Sequence, residues 1–311
     1  MTDAVLDSSV PDAGRSVWAL RWQRLRGNRP AMAGLLVLVL LVAFSFSAPL
    51  WEWVLGIDSL RADLFNRFAE PGGKHLLGTD EAGRDVLIRL MYGGQVSLMV
   101  GLTAAVSAAA LGTLIGITAG YYGGMVDKVL MRITDGVIAL PLLPLLIVFA
   151  AIDLRKLGFG GDFAVTPDAA FWRIVVIITI VQWTTVARLV RASTLAVLQR
   201  EYVMAAQVQG APARHIMLVH ILPNAISPII VACTLAMGQI ILFESVLSFL
   251  GLGIQPPTAS WGNMLTNAQE MIQQAPALAF YPGILIFVTV IAVNFFGDGL
   301  QEAFDPRSEP R

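Results

Sequence analysis

Few side chains in this 311-residue sequence are equipped for chemistry, and they are scattered. The three histidines, His75, His215 and His220, show no metal-ligand spacing, and Cys233 is a lone thiol inside an apolar run, where it packs rather than pairs. Gly72-Gly73-Lys74-His75 lacks the spacing and the hydroxyl residue of a phosphate-binding loop, and Gly93-Gly94-Gln95 only mimics part of a nucleotide-binding signature. There is no serine elbow, paired-carboxylate constellation or metal-binding helix, so no catalytic residue and no cofactor is expected in this chain. What remains is Glu244, inside a long apolar run where a charge at mid-membrane costs roughly 2.5 kcal/mol or more. Gln239 and Ser248 each lie about one turn away, and with Glu244 they would form a polar face lining a solute path or its gate. The competing expectation is a hydrated carboxylate near the outer interface. Asn294, in the last apolar run, is a further candidate for the path.

A second stretch is suited to contact rather than reaction. Glu201 to Asn224 lies between two apolar segments long enough to cross a bilayer, yet it reads as a polar, small-residue helix, a break and a second helix. Gly210 supplies the break, because glycine tolerates the left-handed conformation that ends helices, and Pro212 opens the next helix after Ala211. Pro223, after Leu222, ends or kinks that second helix. Ala205 and Ala206 leave a nearly flat surface that another protein can approach closely.

Ala205-Ala206, three residues, Gly210 and then Ile221-Leu222-Pro223 resemble the EAA loop that permease subunits of type I ABC importers present to their ATPases. The fuller run, with Glu201-Tyr202-Val203 before it and His220 to Asn224 behind, is similar to the C-type permease of dipeptide and oligopeptide importers. Met204 stands where the family often has Glu, and His220 where many relatives outside the peptide branch have Ile. Glu201, four residues before Ala205 and near the same helical face, is placed to supply the carboxylate. Two further strings resemble the same family: His75 to Gly94, and Ser248-Phe-Leu-Gly-Leu-Gly-Ile-Gln-Pro-Pro257.

The elements that must position these residues follow from composition. With 56% hydrophobic and 14% charged residues and a mean hydropathy of +0.69, the chain is a polytopic membrane protein, and helices are the default in lipid. Six spans are expected, near residues 31–50, 95–120, 133–152, 171–186, 226–250 and 278–296. Arg15, Arg21, Arg24, Arg26 and Arg29 anchor the first on the cytoplasmic side. Ser45-Phe-Ser47-Ala48 faintly resembles a cleavage site, but the long polar leader and full-length apolar run favour a retained anchor.

Between the first two spans, His75 to Gly94 reads as a short amphipathic helix, with Asp80 and Glu81 at the positive end of its dipole and Val86, Leu87, Leu90 and Met91 as its stripe. The second span is rich in Ala, Gly, Ser and Thr and should pack inside the bundle or against a partner. Asp135 sits at the entrance of the third, satisfied by solvent or the helix dipole, and Pro141 and Pro144 should bend that span. An outer loop runs from Asp153 to Ala170. Thirteen of the 21 Lys and Arg fall in segments this topology places inside, including Arg188 and Arg191, which supports two cytoplasmic termini in a multi-pass protein of the cytoplasmic (inner) membrane.

The organisation is then an N-terminal segment, first span and outer loop over 1–94, a type-1 transmembrane domain over 95–297 with its coupling loop at about 188–224, and a tail over 298–311. The resemblance implies an all-α fold of six transmembrane helices, the type I importer (MetI-like) permease fold. It also implies a second, B-type permease, two ATPase subunits that hold ATP and Mg2+, an extracytoplasmic substrate-binding protein, and membrane lipid around the spans; nucleic acid is not an expected partner. Peptide is the expected cargo, with nickel, glutathione and haem the alternatives within the family. A secondary transporter would need ionisable groups deep in the membrane, for which only Glu244 is available, and a membrane scaffold would use the loop only to bind.

Overall fold

The computed structural model describes residues 17–58, 60–152, 166–266 and 272–304. The outer loop expected from Asp153 onward and the tail beyond Phe304 lie largely or wholly outside these. Among the described residues there is no strand, only the isolated bridges Gly72–His75 and Thr79–Asp85, and the chain is helical almost throughout.

The helices are α1 (Val17–Gly27), α2 (Arg29–Phe46), α3 (Ala48–Leu55), α4 (Val86–Tyr122), α5 (Gly124–Ala139), α6 (Leu142–Ala151), α7 (Pro167–Leu198), α8 (Glu201–Val208), α9 (Ala213–His215), α10 (Leu222–Phe249), α11 (Trp261–Met264) and α12 (Ala277–Phe304). Five stretches are long and apolar enough to cross a membrane: α2, α4, α7, the run from α9 to α10, and α12. The pair α5–α6, bent by 90°, makes the sixth if it is one span. The bend falls at Leu140–Pro141, as the prolines require, while Pro144 sits harmlessly in the first turn of α6.

The second span, α4, is the central helix. Its small residues lie against α7: a Cβ on Gly112 would sit 2.6 Å from the Trp183 carbonyl oxygen, and one on Gly116 would sit 2.5 Å from that of Ala187. One turn on, a Cβ on Gly120 would meet Thr194 Cβ at 2.7 Å. Lipid tails are as apolar as leucine, so helices in a bilayer gain most from this close backbone approach. The same device joins α2 to α12, where a Cβ on Gly34 would lie 2.6 Å from the Ala292 carbonyl oxygen, and α12 to α10, where one on Gly297 would lie 2.6 Å from Leu235 Cδ2.

Several boundaries differ from the sequence reading. No helix spans His75 to Gly94: Gly78 and Gly83 adopt φ of +78° and +73°, and the chain turns until Asp85 caps α4 by accepting from Ile88 N at 2.9 Å. Asp80 therefore serves no helix dipole. It accepts from Ala82 N, Arg84 N and Arg84 Nε at 2.8–2.9 Å and forms an ion pair with Arg89, whose Nε lies 3.2 Å away, so that it organises the turn before α4. The helices α7 and α12 also run beyond their expected ends at 186 and 296, because backbone hydrogen bonding continues where the apolar pattern stops.

Asn28 Nδ2 donates to Glu302 Oε2 at 2.7 Å, and Arg21 stacks on the Phe304 ring at 4.7 Å, which places both terminal helices at one end of the bundle. The C-terminal ends of α4 and α7, with α8 and α9, share that end. The segment 56–85 and the loop 250–266 cover the other.

A Gly116→Leu substitution should lower the unfolding free energy of the detergent-solubilised chain by about 3 kcal/mol through backbone collision. A Gly136→Leu control, whose Cβ meets nothing within 4 Å, should leave the melting temperature unchanged or slightly raised. Thermal unfolding of the two variants checks the seam.

Candidate functional site: the α8–α10 hairpin and the adjoining cleft

The break after α8 takes the expected form. Gly210 has φ +79°, Gly210 N donates to Gln207 O and Ala211 N to Ala206 O, both at 3.0 Å, which together make a Schellman C-cap. Pro212 then N-caps the short α9. Pro223 does not end the second helix. The turns before it widen into a π-segment, Ile216–Ile221, whose register carries Leu222 N to Met217 O, and the chain enters α10 with Pro223 in its first turn. The wider register relieves the clash between a proline ring and the carbonyl four residues earlier, so the helix passes through.

Three side chains of the hairpin are fully buried: Val203 of α8, and Ile216 and Ile221 of the π-segment. They join Ile117 of α4 and Val186, Val190 and Val197 of α7 in one apolar cluster, with Ala211 and Leu222 packed at its edge. Asn224 Nδ2 bridges the two arms by donating to Tyr202 Oη at 3.2 Å and to the His220 carbonyl at 2.6 Å, while the Tyr202 and His220 rings lie 5.8 Å apart. The hairpin is thus one rigid piece fused to α7 and α10.

Its outer face is open. Glu201, Met204, Ala205, Gly210, Pro212 and Pro223 are exposed, Ala206 is half-buried, and Val208 is 88% exposed. Glu201 and Ala205 share that face, as their spacing requires. Met204, Ala205 and Val208 lie on that face beside Glu201, with Val203 buried behind them, the character of a protein contact.

Two ion pairs fix the α5 arm to α7. Arg191 meets both carboxylate oxygens of Asp127 at 2.5 and 2.6 Å, and Arg188 Nη2 meets Asp135 Oδ1 at 2.5 Å. Asp135 is therefore paired with a side chain, not left to solvent or the dipole. The sequence offered no local signal for this, since the partners are 53 and 64 residues apart.

A cleft of about 860 Å³ lies between α7, α10 and the end of α12. Its wall is mostly apolar, and Gln182, Thr185, Ser227, Gln239 and Gln301 with the paired Arg188 set polar groups into it; Gln182 Nε2 is buried there without a partner. Gln239 is the one candidate path residue of the sequence reading in this lining. Asn294 is exposed on α12 beside Gly238, outside it. Glu244 and Ser248 are buried, so the polar face expected to unite them with Gln239 is divided: five residues along a helix turn a side chain well away from its starting face. No group of three or more His, Cys, Asp or Glu side chains suited to a metal occurs among the described residues.

Residues 112–310 match the family model described as binding-protein-dependent transport system inner membrane component, and residues 16–54 match the N-terminal transmembrane domain of oligopeptide transport permease C. The chain belongs to this transport family. It is a permease of an ABC importer, a multi-pass membrane protein, and its family comprises transport components rather than enzymes. A protein of Brucella suis biovar 1 named as a peptide permease is 38% identical over 98% of this chain and 95% of its own length. One of Brucella abortus biovar 1, named as a peptide transport system permease, is 38% identical over 96% and 95%. The dipeptide transport system permease protein DppC of Alkalihalophilus pseudofirmus is 36% identical over 94% of the permease and 90% of its own chain. Importers of this family also comprise a partner permease, ATPase subunits and a substrate-binding protein.

Removing either member of the Asp127–Arg191 pair should loosen the α5 arm. A double-mutant cycle with Asp127→Ala and Arg191→Ala, read by thermal unfolding, should return a coupling of roughly 0.5–1.5 kcal/mol, as a bidentate pair partly open to solvent allows.

Proposed function

We propose that this permease moves dipeptides or oligopeptides inward, and that its α8–α10 hairpin is the cytoplasmic handle gripped by separate ATPase subunits. The observation that carries the reading is the hairpin's two-sidedness. Val203, Ile216 and Ile221 fuse it to the spans, while Glu201, Met204, Ala205 and Val208 face outward unobstructed. A push on that outer face tilts α7 and α10 together, because one apolar cluster joins them. Alternating access then follows from rocking of packed helices about a central path. ATP and Mg2+ are held by the ATPases, and this chain supplies motion only.

The peptide cargo is supported by the names of the relatives that match almost the whole chain. In this reading the cleft lined by Gln182, Thr185, Ser227 and Gln239 is this subunit's share of the path, completed by a second, B-type permease. Neutral amides and hydroxyls suit a peptide backbone, whose donors and acceptors are common to all sequences. The hairpin end is cytoplasmic: Arg24, Arg26, Arg29, Lys128, Arg132, Arg200 and Arg214 gather there, as the positive-inside rule favours. Both termini then lie in the cytoplasm, and the 56–85 and 250–266 segments face the substrate-binding protein. The domain division is 1–94, 95–297 and 298–311.

Ala205→Glu places a bulky charge on that outer face, and Gly210→Pro is incompatible with a φ of +79° and removes the N–H that donates to Gln207 O. Each variant should insert normally yet lose co-purification with the ATPase subunits and peptide uptake. An intact four-subunit assembly with normal uptake from both would overturn the docking assignment.

A further inference from the structure

Glu244 is fully buried near the end of α10 opposite the hairpin, and the cleft does not use it. Both carboxylate oxygens are engaged, each in the same way. Ser97 Oγ on α4 donates to Glu244 Oε2 at 3.0 Å and accepts from the backbone N–H of Trp261 at 3.2 Å. Ser248 Oγ on α10 donates to Oε1 at 2.8 Å and accepts from the backbone N–H of Ile254 at 3.0 Å. Each hydroxyl gives its single proton to the carboxylate and turns a lone pair to the 250–266 loop. Each serine hydroxyl thereby links the Glu244 carboxyl group to a backbone N–H of the loop.

The loop is otherwise an integral unit. Asn263 Nδ2 donates to the carbonyls of Thr258 and Ile254 at 2.7 and 3.3 Å, its Oδ1 accepts from Ser260 N at 3.0 Å, and Ser260 Oγ caps the following turn. Trp261 Nε1 adds one tie to the Leu90 carbonyl at 2.9 Å. Cavities of about 170 and 370 Å³ flank the loop, while Trp261 and Ile254 are buried against the helices between them. Two of its ties to the helices run through one side chain.

We propose that Glu244 is a positioning residue that latches the 250–266 loop across the ends of α4 and α10, and that undoing this latch opens the end of the path opposite the hairpin. Because α10 carries the hairpin at its start and Glu244 near its finish, a tilt of α10 against α4 imposed at one end shears the Ser97 relay at the other, while the Ser248 relay travels with α10. The gating half of this statement rests on the importer reading; the latch itself does not.

The test places a reporter cysteine at Ala259, which is 7% exposed, in a Cys233→Ser background, and follows maleimide labelling of the assembled transporter. Glu244→Leu should raise the labelling rate about tenfold or more, Ser97→Ala about threefold, and Glu244→Gln least, since the amide keeps an acceptor for one serine. In proteoliposomes, Glu244→Leu and Ser97→Ala should make ATPase activity less dependent on the binding protein and lower uptake. Labelling within twofold of the parent in Glu244→Leu and Ser97→Ala overturns the latch, whatever transport does. Raised labelling with binding-protein dependence and uptake intact overturns the gating half alone. If Glu244→Leu does not assemble, Ser97→Ala and Ser248→Ala, which remove one relay each, decide the matter by the same readings.

Discussion

The close seam between α4 and α7 underlies the rest of the bundle. Without side chains at Gly112, Gly116 and Gly120, the two backbones approach until dispersion contacts replace the hydrophobic drive that lipid does not provide. Everything with a functional reading is attached to one or other of these helices. The hairpin cluster is built on their shared end, the α5 arm is ion-paired to α7, the cleft uses the outer face of α7, and Ser97 and Trp261 meet at the start of α4.

Seen along α10, the molecule has two differently built ends. At the hairpin end the contacts are apolar and close-packed, which ties the segment to its helices. At the far end the loop adds to the buried contacts of Trp261 and Ile254 two directional hydrogen bonds that run through serines to one buried carboxylate. The π-segment before Pro223 belongs to the first end: it carries the helix on through a proline.

Much of the candidate site was legible beforehand because it depends on local backbone rules. The helix break at Gly210, the re-entry at Pro212 and the flat alanine pair are properties of a few adjacent residues, and the structure reproduces them. Readings that failed were also local, and failed where two local signals competed. Asp80 and Glu81 are placed by the sequence at the start of a helix over His75 to Gly94, but the left-handed glycines at 78 and 83 turn the chain and the cap falls to Asp85, which no local signal singled out. Pro223 reads from sequence as ending or kinking a helix, and the helix does not end there, because widening of the preceding turn leaves no mark in composition.

The sequence by itself determined that this chain is helical and lipid-embedded, where its apolar runs lie, and that a small-residue hairpin separates two of them, since hydropathy, glycine and proline act within a few residues. Only the tertiary structure decided which polar groups share an environment. It paired Arg191 with Asp127 and Arg188 with Asp135, put Gln239 on a cleft, and enclosed Glu244 among serines that answer to a distant loop. Those assignments depend on the rotation of one packed helix against another, and a rotation of a few tens of degrees moves a side chain from solvent to core while leaving every local pattern unchanged.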